Sequence, residues 1–185
     1  MKHAIRRVVT GHDSSGKAVD LIDGIGPNIK LRQGAGFVHS QLWVTDEMPA
    51  DISGGADRAG REIGVAPPPM GSILRMVDFP PVTREAENID HQTLTRAMGA
   101  SHEGDDRAPA RHPYMHRTRS LDYAVVLEGE IDLLLDDTEV RLQAGDVVVQ
   151  QGTNHAWVNR GNRTCRIAFV LIDAEEPKII EESQR

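Results

Sequence analysis

From position 121 onward the chain alternates short apolar runs with turn-forming clusters. Residues 121–127, 131–135, 139–142, 147–150, 156–159 and 166–172 are rich in Val, Ile, Leu and aromatic side chains. Residues 128–130, 136–137, 144–146, 151–154 and 160–162 separate them with Gly, Asp, Asn and Gln. Runs of this length between turn formers predict strands, and their regular succession predicts an antiparallel sandwich or small barrel. Upstream, residues 72–79 read as a strand closed by Pro80 and Pro81, and residues 37–45 as another that contains Trp43. Residues 5–10 and 17–23 form a hairpin pattern around the turn formers of 11–16. Residues 23–28 and 33–36 read as turns; the Gly-x-Gly in each lacks the strand-before, helix-after setting of a nucleotide loop. Only residues 83–99, with Ile89, Leu94 and Met98 at helical spacing and Gly99 as a stop, predict a helix.

Two stretches carry no periodicity. Residues 46–71 are dominated by Gly, Pro, Ala and charge, and residues 100–111 are polar and irregular. Long loops of this kind inside a compact domain commonly cover functional openings, so both are expected at the open end of the barrel. The 185 residues are expected to make one domain. Its parts are N-terminal strands (1–45), a long loop (46–71), a barrel (72–173) with an insertion (83–111), and an acidic tail (174–185).

A net charge of −7 argues against a nucleic-acid partner, which selects for a basic face. Cys165 is the single cysteine, so neither a disulfide framework nor a cysteine-rich zinc site is expected, and a reducing cytoplasmic setting fits. No apolar run approaches a membrane span, and the basic N-terminus has no apolar stretch after it, so no membrane partner is expected.

The candidate chemistry sits in two stretches. The first runs from His116 through Thr118 and Asp122 to Gly129; the second runs from Gly145 through Gln150 and Gly152 to His155 and Asn159. If their strands lie side by side, His116, Asp122 and His155 converge, and two histidines with one carboxylate form the ligand set of many mononuclear metal sites. The spacings resemble the two motifs of the cupin superfamily, in particular the small-barrel cupin 2 group. The first motif departs by having Thr118 where a second histidine is usual and Asp122 where glutamate is usual. The second has Gln150 at the usual proline and one residue fewer after Gly145. The insertion before His116 adds His91, His102, His112, Arg107 and Arg111.

The resemblance implies an all-β, cupin-type double-stranded β-helix (jelly-roll) barrel with an N-terminal hairpin and a short helical insertion. It implies a homodimer paired through N-terminal strands. It further implies a divalent transition metal (Fe, Mn, Ni or Zn, with Fe favoured) on His116, Asp122 and His155. Arg117, Arg111 and Thr118 are the candidate catalytic or substrate-holding residues, and Trp157, Trp43 and Tyr123 the candidate pocket walls. Each has a structural alternative: hydrogen-bonded core histidines, an Asp122 paired with Arg117 or Arg119, a solvated arginine face, aromatics in the core, and Asn159 securing a turn. The function expected is a metal-dependent oxygenase or decarboxylase acting on a small organic acid or phenolic compound. The alternative is a metal-free small-molecule-binding or sensor cupin.

Overall fold

A computed structural model describes residues 4–26, 28–31, 36–83 and 111–178. The described elements are β1 (Arg6–His12), β2 (Ala18–Ile25), β3 (Asn28–Leu31), β4 (Val38–Thr45), β5 (Ser72–Phe79), β6 (Ser120–Glu128), β7 (Glu130–Leu134), β8 (Glu139–Gln143), β9 (Val147–Gln151), β10 (Ala156–Val158) and β11 (Cys165–Asp173), with a 3₁₀ turn at Arg58–Gly60. The expected strands are present with shifts of a residue or two at their ends. β3 falls on the boundary of residues that read as turns, yet it pairs antiparallel with β4, placing Ile29 opposite Ser40. The helix expected over 83–99 lies almost wholly outside the described residues, as do His91, His102 and Arg107.

A six-stranded sheet of order β3-β4-β5-β11-β6-β9 faces a three-stranded sheet of order β10-β7-β8. Side chains of both sheets meet in one core: Ile73, Phe79, Ala124, Val126, Ile167, Phe169 and Leu171 from the larger, Ile131, Leu133, Leu142 and Trp157 from the smaller. This follows from strand parity. Along β6, Ser120, Asp122, Ala124 and Val126 are buried, whereas Tyr123 and Leu127 are exposed. Two of the inward positions are therefore polar, at the end of the strand where the core gives way to the site. Gly129 makes the turn from β6 to β7 at φ +76°, and a Cβ there would lie 2.8 Å from the Thr164 carbonyl oxygen, so only glycine fits.

The segment between β4 and β5 is strapped down. Gln41 Nε2 donates to the carbonyl oxygens of Ala59 (2.8 Å) and Arg61 (2.7 Å), and Arg75 Nη2 donates to that of Val65 (2.7 Å). Asp57 accepts from the Ala59 amide and starts the 3₁₀ turn. Ile63 packs on the main core, and Val65 on a second cluster made by Tyr114, Met115, Leu134, Ala156 and Val158. That second cluster includes the chain neighbours of both motif histidines. The β1–β2 hairpin forms its own two-stranded sheet, tied to the body where Arg7 pairs with Asp57 and donates to the Leu42 carbonyl.

Candidate functional site

His116 precedes β6 and His155 precedes β10, and an isolated antiparallel bridge joins them. Each backbone amide donates to the other's carbonyl at 2.9 Å. The bridge sets the two rings side by side, with centroids 4.4 Å apart and planes at 50°. Gly152 at φ +58° turns the chain out of β9 toward His155, and its carbonyl accepts from Arg117 Nε at 2.6 Å.

Both rings are held the same way. Nδ1 of His116 lies 2.9 Å from the Tyr114 carbonyl oxygen, and Nδ1 of His155 lies 2.9 Å from that of Thr153. A carbonyl oxygen can only accept, so each Nδ1 carries a proton, and in the neutral ring Nε2 presents the lone pair. Burial, and after it the neighbouring His116, hold the His155 pKa well below its ordinary value, against the opposing hydrogen bond to Thr153. Neutral His155 therefore has the tautomer and the outside support that a metal-binding imidazole needs.

A buried polar chain continues from this pair. Gln150 Nε2 lies 2.9 and 3.0 Å from the two ring nitrogens of His155 and 3.4 Å from Asp122 Oδ2. Asp122 Oδ1 accepts from Ser120 Oγ at 2.6 Å, and that hydroxyl lies 3.0 Å from Thr118 Oγ1. The register explains the contact, since Asp122 and Gln150 are direct cross-strand partners on β6 and β9. Burial lifts the Asp122 pKa to about 6, against the Ser120 hydrogen bond, the charge of Arg75 and the Gln150 amide.

The predicted residues thus separate. His116 and His155 meet; Asp122 reaches His155 through Gln150; Thr118 reaches Asp122 through Ser120. Among the described residues, no three His, Cys, Asp or Glu side chains gather at metal-ligating spacing. The two imidazoles are the nitrogen donors the site offers a metal, and the carboxylate stands one amide away from His155. Trp157 lies inside, 6.1 Å ring to ring from His155 and edge-on to Phe169 at 5.4 Å. Tyr123 and Trp43 do not line this interior. Tyr123 is on the exposed parity of β6, and Trp43 pairs with exposed Leu74 on the outer face, where the Arg7 guanidinium covers it.

The arginines expected at the site are engaged elsewhere. Arg111 donates to the Leu135 and Thr138 carbonyls of the β7–β8 turn and pairs with Glu139. Arg117 is bound by the Gly152 carbonyl and Glu176, and Arg119 pairs with Asp173. Asp122 is accordingly not the partner of either. His112 accepts from the Tyr114 amide and packs on the Tyr114 ring, in the turn before His116. Asn159 holds a turn: its Nδ2 donates to the Phe79 and Arg163 carbonyls and its Oδ1 accepts from the Gly161 amide.

Three contributors escaped the sequence reading. Ser120 shares strand parity with Thr118 and Asp122, which was a usable signal. Gln150 was noted only as a departure from the motif. Arg75 is a charge inside an apolar strand at the parity of Ile73; it is 5% exposed and lies opposite core Phe169.

A double-sheet barrel with a histidine pair at the junction of its two motif stretches defines a cupin, and the chain belongs to that family. The Cupin domain model matches residues 103–172. Within the family, the chain is 34% identical over 182 residues to phomopsin biosynthesis cluster protein C' of Diaporthe leptostromiformis, covering 94% of this chain and 80% of that one. It is 31% identical over 185 residues to a cupin-domain-containing oxidoreductase of Hypocrea virens, covering 95% and 79%. Among solved structures, the cupin domain of Schizosaccharomyces pombe Cnp3 superposes with a TM-score of 0.46 at 11% identity, covering 97% of this chain and 93% of that one.

Proposed function

We propose that this chain is a metal-dependent cupin enzyme acting on a small organic acid or phenolic compound, by oxygenase or decarboxylase chemistry. The observation that carries the reading is the pair of motif imidazoles with ring centroids 4.4 Å apart, each with its Nδ1 held by a backbone carbonyl. Two adjacent imidazoles in the neutral form would be stabilised by a shared cation. His116 and His155 would hold a divalent transition ion, Fe(II) first among Fe, Mn, Ni and Zn, with Asp122 as the carboxylate nearest to hand. Such an ion supplies a Lewis acid or a dioxygen-reactive centre. Relatives named as oxidoreductases and as biosynthesis cluster proteins support an enzymatic role.

The chain's own residues do the rest. The His116–His155 bridge fixes the geometry, and Trp157 and Phe169 make an apolar wall that excludes water. Arg75, whose charge reaches Asp122, replaces Arg111 and Arg117 as the cation that favours an anionic substrate. A second reading, metal-free binding of a small molecule, is favoured by Gln150, whose amide already engages both Asp122 and His155.

Metal analysis of protein purified without added salts separates the two. The enzyme reading expects near-stoichiometric transition metal, lost in His155→Ala and in His116→Ala while circular dichroism stays β-type. Metal retained in both variants, or never present even after incubation with Fe(II), Mn(II), Ni(II) or Zn(II), leaves the metal-free reading.

A further inference from the structure

The orientation of the Gln150 side chain carries an inference about what the site accepts. Its Nε2 lies 3.4 Å from Asp122 Oδ2 and 3.0 Å from the His155 Nε2 lone pair, both hydrogen-bond acceptors, and 2.9 Å from His155 Nδ1, whose proton is committed to the Thr153 carbonyl. Reversing the amide would press Oε1 against those acceptors, so the partners fix which end points where. The consequence falls on the other end. Gln150 is 5% exposed, and its Oε1 is sealed from solvent with no hydrogen-bond partner among the described residues. An acceptor left so in a polar, buried site, beside the candidate ligands, is a place for a ligand's donor.

We propose that Gln150 is a specificity-determining residue that reads a hydroxyl on the bound molecule, Oε1 accepting its hydrogen bond. The occupant is then a hydroxy acid or phenol rather than a simple carboxylate. A carboxylate end is excluded from this position because an amide oxygen repels it and Asp122 stands at the other side of the same amide. This proposal rests on the reading of the His116–His155 site as the ligand site. A site that hydrogen-bonds a substrate hydroxyl discriminates strongly against an analogue lacking it.

The test is calorimetric binding of 2-, 3- and 4-hydroxybenzoate, each against its methoxy counterpart, which keeps the oxygen and removes the donor. In the wild-type chain at least one hydroxy compound should bind about tenfold or more tighter than its methoxy partner. Gln150→Met, which keeps length and removes the acceptor, should abolish that preference by weakening the hydroxy compound alone. Gln150→Glu, which keeps an acceptor, should retain it and serves if the Met variant does not fold. Equal binding of each pair, a preference that survives Gln150→Met, or no binding of any of the six at millimolar concentration overturns the assignment. His155→Ala separates the two levels. If it abolishes binding while Gln150→Met leaves the preference intact, the site stands and the role of Gln150 falls. If binding survives His155→Ala, the site reading itself falls.

Discussion

Asp122 illustrates how much a site side chain can cost its own fold. Burial raises its pKa to about 6, whereas an unfolded aspartate titrates near 3.9. Between those values the folded state holds a proton that the unfolded state has released. The group therefore makes stability fall as pH rises from about 4 to about 6, after which its contribution is level. That difference corresponds to about 3 kcal/mol. In metal-free protein, Asp122→Asn should be more stable than wild type by up to about that amount at pH 7 and equal to it near pH 4. Urea denaturation at both pH values checks this; a variant no more stable at pH 7 would mean that Arg75, Ser120 and Gln150 fully offset the burial. Gln150 and Ser120 matter at the same scale, because each connects a motif residue to its neighbour without belonging to the familiar ligand set.

At the scale of elements, the decisive feature is the segment between β4 and β5. Nothing in its composition says where it packs, yet Gln41, 1% exposed, holds the carbonyls of Ala59 and Arg61, and Arg75 holds that of Val65. Gln41→Leu would leave two carbonyls without their donor at a cost of about 1–3 kcal/mol each. Hydrogen exchange should then quicken at residues 59–65 while the amides of β6 and β11 keep their protection. Uniform loss of protection would show that the strap supports the whole barrel rather than one segment. β3 went unread for a different reason. It is four residues long and follows Gly26 and Pro27, so the turn signal outweighed a strand that only pairing with β4 stabilises.

The whole molecule presents an apolar outer face on its larger sheet. Register places Leu74, Val170, Tyr123 and Val149 in one row across β5, β11, β6 and β9, and Leu74, Tyr123 and Val149 are 37%, 41% and 55% exposed. The separate β1–β2 hairpin adds exposed Val8, Leu21 and Ile25. Apolar surface of this continuity is expected to be covered, and a second copy of the chain is the occupant expected from the family. Light scattering at micromolar concentration should give a dimer mass, and Tyr123→Lys combined with Val149→Lys should give a monomer with unchanged circular dichroism. A wild-type monomer would end that expectation.

Much was legible in the sequence because strand formation is local. Period-two alternation from Leu121 onward, glycines at the tight turns and the spacing of His116, Asp122 and His155 follow from backbone geometry that each short run carries by itself. The same parity places His155 and Trp157 together. What the sequence could not hold is direction across elements. Whether Tyr123 and Trp43 face inward depends on which side of the sheet the other sheet covers. Whether Arg111 and Arg117 meet a substrate depends on where the β7–β8 turn and Glu176 come to rest. The Gln150 amide between Asp122 and His155 exists only because β6 and β9 pair in one register. Local patterning determined the barrel and its histidines; long-range pairing decided which polar groups share the interior, because that depends on contacts between residues far apart in the chain.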